Sequence, residues 1–205
     1  GGGSCYSSSQ SVTVNVSSAP TTGSIGNAHT ICSGGDPSTI SNSSAGGSTI
    51  FQWQYSNNNS SWSTISGATS STYNPPSGLT ADRWYKRRGR KNCSPTSWSG
   101  WTSPVKVTVT TLNTGSIPET TSSPTTICQG STPTISSSSD ASGESGIYYL
   151  WKYRYNNGSS WSDWSIASGT NNNNTYTIPN NLTPGHRHRF RRKAGSTCTS
   201  LIWED

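Results

Sequence analysis

Most of the usual signatures of chemistry are missing from this chain. Only 27% of its 205 residues are hydrophobic, and no apolar run approaches the ~20 residues of a membrane helix, so no membrane insertion of this segment is expected. No apolar stretch recurs with the 3.6-residue helical period, which argues against a helical fold. The five cysteines form no C-x-x-C pair, so zinc and thioredoxin-like redox readings lose their best signals. There is no G-x-S-x-G elbow, EF-hand loop or D-x-D-x-D run. Acidic residues are few and scattered: Asp36, Asp82, Asp140, Asp163, Asp205, Glu119, Glu144 and Glu204. No two of them stand in a motif suited to acid–base work. The expectation is a chain that is not an enzyme and needs no cofactor. It also lacks a start methionine and a signal peptide and opens mid-pattern on Gly1–Ser4, which reads as a piece of something longer.

What is present is an excess of Ser, Thr, Asn and Gly, together with nine Trp and nine Tyr. The polar excess alone would suggest disorder. The aromatics contradict that, because each can bury roughly 150–250 Å² and supply a slim core where aliphatics are few. Period-two alternation supports the same conclusion: Phe51, Trp53 and Tyr55 share one face, and Tyr149, Trp151, Tyr153 and Tyr155 share another, as in strands buried on one side. Further strands are expected at 62–65, 72–74, 83–88 and 105–110. The runs Asn57-Asn58-Asn59 and Asn156-Asn157-Gly158 read as hairpin turns, since Asn and Gly tolerate positive φ. Trp53, Tyr85, Trp151 and Phe190 are the expected core.

The same landmarks occur twice. TGSI, TIC and a Thr-Ile-Ser string shortly after a proline recur in order from Thr21 and from Asn113, at an offset that drifts from 92 at Gly23/Gly115 to 105 at Cys93/Cys198. Two modules follow, 19–111 and 112–205. Cys5 with Val12, Val14 and Val16 repeats the order of Cys93 with Val105, Val107 and Val109, so 1–18 reads as the last strand of a preceding copy. A free reactive thiol at Cys5 is the alternative. Cys32 to Cys93 spans 61 residues and Cys128 to Cys198 spans 70. One disulfide per module is the natural expectation, worth about 4 kcal/mol each by loop entropy, and it implies an exported, extracellular protein.

The formal charge is +6, but placement matters more. Eleven of the fourteen basic residues sit in two clusters, Arg83, Lys86, Arg87, Arg88, Arg90, Lys91 and Arg187, Arg189, Arg191, Arg192, Lys193. Basic residues among aromatics can mark nucleic-acid binding. An internal cation–π ladder on one strand is preferred here, because the Trp-rich stretch at Trp98 and Trp101 follows the first cluster closely. Lys86 and Arg88 share a strand face and are expected to stack with these indoles. Arg83, Trp84, Arg189 and Arg191 complete the ladder or, on the other reading, an anion patch. His186 and His188 share a face and can begin a metal site, but Arg187 and Arg189 surround them with positive charge, so no metal is expected.

The strings TICSGGDPSTIS, FQWQYSNNNSSWSTISGATSSTYNPPSGLTADRWYKRR, Cys93 and VKVTVT resemble the immunoglobulin-like repeats of very large cell-surface proteins of Bacteroidetes, including gliding-motility adhesins of the SprB type. The resemblance covers nearly the whole chain. It implies tandem β-sandwiches, type IX secretion, display on the outer surface, neighbouring repeats as partners, and a mechanical or adhesive task toward surface polysaccharide or another extracellular ligand. The basic penultimate strands depart from that family's usual pattern. WSGWTS at 98–103 is similar to the W-S-x-W-S element of cytokine-receptor fibronectin III modules, whose indoles and guanidiniums interleave. WSDWS at 161–165 matches the letters better but falls in the wrong strand and receives less weight.

Overall fold

The computed structural model describes residues 1–4, 10–93, 97–118, 125–169 and 171–198, with the backbone alone of 202–203. Cys5, Glu119, Glu204 and Asp205 lie outside the described residues. Among those described, every regular element is a β-strand, and the strands form several sheets in a sandwich-like, all-β fold. The chain divides into two compact units, one of residues 1–27, 39–73 and 84–105 and one of residues 28–38, 74–83 and 106–205.

In the first unit, β1 (Ser24–Gly26) pairs antiparallel with β3 (Ser41–Ser44). Beside this small ribbon, β4 (Ile50–Ser56) pairs antiparallel with β5 (Ser63–Thr64) on one edge and with β6 (Arg83–Arg90) on the other. Alternation sorts the side chains of β4 and β6: Phe51, Trp53, Tyr85 and Arg87 are buried, while Gln52, Lys86, Arg88 and Arg90 are partly exposed. Ile40, Phe51, Trp53, Tyr85 and Val105 form the apolar centre. Tyr73 links the two large rings, at 5.5 Å from both Trp53 and Tyr85. The β4–β5 turn uses Asn59 at φ 58°, and the Asn58 side-chain oxygen accepts the N–H groups of Ser60 and Ser61. The strand expected at 72–74 reduces to one bridge, Ile40 to Tyr73.

In the second unit, β2 (His29–Cys32) runs parallel to β7 (Val105–Thr110), with Cys32 in register with Thr110. The rest is an antiparallel sheet in the order β10 (Ser165–Ile166), β9 (Tyr148–Asn156), β12 (Arg187–Gly195), β13 (Ile202–Trp203). A short ribbon of β8 (Thr134–Ile135) with β11 (Tyr176–Thr177) accompanies it. Trp151, Ala167, Tyr176 and Ile178 are its buried cluster, with Phe190 partly buried against it. Gly158 closes the β9 turn at φ 103°.

Residues 10–20 form no strand, and the side chains of Val12, Val14 and Val16 are 87%, 76% and 91% exposed; on the expectation that 1–18 belongs to a preceding copy, their pairing partners would lie in that copy. Alternation marks only a capacity to pair, and a strand forms where an edge accepts its hydrogen bonds. The cysteine pairing differs from expectation. Cys32 bonds to Cys198, with Cα atoms 5.4 Å apart, while Cys93 and Cys128 are exposed free thiols. The expected bridges Cys32–Cys93 and Cys128–Cys198 are therefore not the ones formed. Four cysteines admit three pairings, and Cα separation, which sequence order does not encode, selects among them.

Candidate functional site

The most organised polar chemistry lies on the two basic strands, and alternation divides it into an outer and an inner half. On the outer face of the first unit, indoles and cations interleave. The Lys86 ammonium lies between Trp62 and Trp101, at 4.0 and 5.0 Å from their ring centroids. The Arg88 guanidinium lies between Trp101 and Trp98, at 4.7 and 4.8 Å, and Arg90 lies over Trp98 at 4.9 Å. Arg88 Nε also donates to Gln52 Oε1 at 2.8 Å. Arg83 and Trp84, expected in the ladder, open the strand partly buried.

The Trp98–Thr102 stretch is held in place by its small residues. Gly89 N donates to Ser99 Oγ while Ser99 N donates to Gly89 O, at 3.0 and 2.8 Å. Arg87 N and Thr102 Oγ1 repeat this at 3.0 Å, with Thr102 N returning to Arg87 O at 2.8 Å. Hydroxyls thus stand in for the carbonyls of a partner strand. Both indoles, three residues apart, reach the same face, which a two-residue strand period would not permit.

The second unit builds a ladder from different strands. Arg154 of β9 lies over Trp161 and Trp164 at 4.9 and 4.7 Å. Arg189 of β12 covers Trp161 at 4.5 Å, and Arg191 covers Trp164 at 4.2 Å. WSDWS at 161–165 is therefore a ladder segment, contrary to the lesser weight given to it from its position. Here too a serine hydroxyl docks the segment, with Tyr155 N donating to Ser162 Oγ at 3.1 Å and Ser162 N to Tyr155 O at 2.8 Å. Trp62 and Arg154 were missed in the sequence as members of the ladders. The signal was available in the shared string N-N-x-S-S-W-S at 57–63 and 156–162.

The inner half is one arginine per unit. Arg87 is 1% exposed. Its Nη1 donates to Asn42 Oδ1 at 2.9 Å and to the Ser71 carbonyl, and its Nη2 to the Ser44 and Ser24 carbonyls at 2.7 and 3.3 Å. The guanidinium plane lies 4.5 Å from the Phe51 ring. One cation on β6 so gathers acceptors from β1, β3 and the 71 loop, tying the ribbon to the larger sheet. Burial pulls its pKa below the ordinary arginine value, and the acceptors hold the charge in place. Arg192, fully buried, repeats this with Ser137 Oγ and the carbonyls of Asn174, Ser139 and Thr114. Aligning the two Thr-Ile-Ser strings makes Asn42 and Ser44 the counterparts of Ser137 and Ser139, so these two acceptors of the tie are equivalent in both copies.

Loss of hydration lowers the Lys86 pKa. The same cause, followed by the like charges of Lys152 and Arg191, lowers that of Lys193. Among the described residues, no three His, Cys, Asp or Glu side chains are grouped so as to hold a metal ion. Arranged in this way, the cations bridge side chains and carbonyls of neighbouring strands and loops.

Residues 21–111, the stretch that carries β1 to β7, match the family model described as "Domain of unknown function (DUF8696)". None of the curated proteins matches the chain.

Proposed function

We propose that the chain is a structural and adhesive segment of a long exported bacterial cell-surface protein, of the kind that serves gliding motility or attachment. It would consist of immunoglobulin-like or fibronectin III-like sandwiches over 19–111 and 112–205. The observation that carries this reading is the repeated engagement of cations inside the architecture: a buried guanidinium tie and an indole–cation ladder in each unit. Separating the Arg87-bearing sheet from its ribbon breaks several charge-assisted hydrogen bonds together, which suits a force-bearing element. Polar loops at 136–146 and 171–174 supply variable contact surfaces toward an extracellular ligand, and neighbouring repeats are the other partners. Secretion to the outer surface follows from the same reading, in keeping with a disulfide.

The test is protease treatment of intact source cells, combined with attachment assays on a strain from which this segment is deleted. Release of its peptides and loss of attachment are expected. Protection of the segment in intact cells overturns the proposal.

A second reading, a module gripping an anionic polysaccharide or nucleic acid, draws on the exposure of Arg187 and Arg189. Retention on heparin that falls steeply with salt supports it, and flow-through at low ionic strength removes it.

A further inference from the structure

On the core-facing side of β9 and β12, the second unit opens into a pocket of ≈ 420 Å³, within the range of small-ligand sites. Its rim is aromatic. Tyr155, 39% exposed, stacks on His186 with ring centroids 5.4 Å apart and planes inclined by 11°, and His188 lies 6.3 Å from each of them. Tyr176 and Phe190, 5.5 Å apart, form the floor. Asn181 and Thr183 add an amide and a hydroxyl to the lining. No carboxylate, lysine or arginine is among the described lining residues, because alternation sends Arg189 to the opposite face, over Trp161.

His188 is the unusual member. Both of its ring nitrogens are shielded from water and make no hydrogen bond among the described residues. A neutral imidazole carries one donor and one acceptor, and buried polar atoms nearly always have partners. An occupant with hydroxyl groups at the ring edge can supply one of these partners. The pocket therefore asks for a ligand with an apolar face to lie on stacked rings, several hydroxyls at its edge, and no net charge. A pyranose ring has all three properties.

The feature belongs to the second copy alone. With Trp53 matched to Trp151 and Arg87 to Arg192, Asn57 occupies the position of Tyr155 and Arg83 that of His188.

We propose that the second unit binds a neutral pyranose unit of a glycan in this pocket, stacked on Tyr155 and His186 and hydrogen-bonded by His188, Asn181 and Thr183. The site does not depend on the stalk reading and is separate from the basic ladders. The test is saturation-transfer NMR of the full chain with a panel of neutral methyl hexopyranosides and N-acetylglucosamine. Transfer to the ring protons of at least one sugar is expected. Loss of a stacking ring in Tyr155→Ala or His186→Ala should weaken binding by about tenfold, while Asn57→Ala leaves it unchanged. Near-UV circular dichroism checks that each variant is folded. Transfer to no sugar, transfer undiminished in both variants, or transfer to an aromatic probe but to no sugar would each overturn the proposal.

Discussion

Replacing Arg87 by methionine keeps most of the side-chain volume and deletes every donor. The carbonyls of Ser24, Ser44 and Ser71 and the amide oxygen of Asn42 lose their partner together. Hydrogen bonds to a charged group contribute roughly 1.5–3 kcal/mol each. Part of that sum is returned because methionine carries no charge to desolvate, and carbonyls near the ribbon edge recover water. A net loss of about 3–5 kcal/mol remains, set against the ~5–15 kcal/mol that stabilises a whole domain. With a urea m-value of about 1.5 kcal/mol/M, the midpoint should fall by roughly 2–3 M. The readout is tryptophan fluorescence, since Trp53 lies 5.7 Å from the guanidinium. Lysine at the same position offers its donors from one point instead of a fork, and should recover less than half the loss. Arg88→Met, on the open face, should cost only about 1–2 kcal/mol. If Arg87→Met loses less than ~1 kcal/mol, buried guanidinium ties are not what joins the sheets.

Trp101 contacts both Lys86 and Arg88, so Trp101→Ala should destabilise by about 2–3 kcal/mol in chemical denaturation, more than either cation's removal alone. Non-reducing peptide mapping should find Cys32 linked to Cys198 and alkylate Cys93 and Cys128 without reductant; loop entropy over that span amounts to about 5 kcal/mol, and a Cys32–Cys93 peptide would contradict the pairing. Asp82 bonds Lys106 at 2.6 Å and accepts the Val109 N–H, which lowers its pKa from 3.8, the Lys106 hydrogen bond contributing most. Its stabilisation is thus complete above the unfolded value and is lost as pH falls through the lower folded value. Because both partners are a third or more exposed, Asp82→Asn should cost under ~1 kcal/mol at neutral pH and flatten the acid limb of a stability–pH profile.

Much of the outer face was legible in the sequence, because strand alternation alone puts Lys86 and Arg88 together and the neighbouring Trp98 and Trp101 offer them ring faces. The inner face was not. The same alternation puts Arg87 with Tyr85, but a charge facing the core runs against the rule that charges stay in water, and only the converging carbonyls explain it. The ladder in the second unit was obscured because its indoles follow β9 instead of the basic strand, and only strand adjacency brings Trp161 and Trp164 to Arg189 and Arg191. Cysteine pairing and the fate of Val12–Val14–Val16 depend on through-space distance and a free edge, which local pattern does not encode.

The central claim, that the basic strands hold cations stacked within the architecture, is tested most directly by a double-mutant cycle on Lys86 and Trp62, whose ammonium and ring lie 4.0 Å apart. Urea unfolding of the wild type, Lys86→Gln, Trp62→Ala and the double variant isolates the pair from its other contacts. A coupling of about 0.5–2 kcal/mol is predicted; strictly additive losses would mean that the lysine is not stacked and that the ladder does not stabilise the unit.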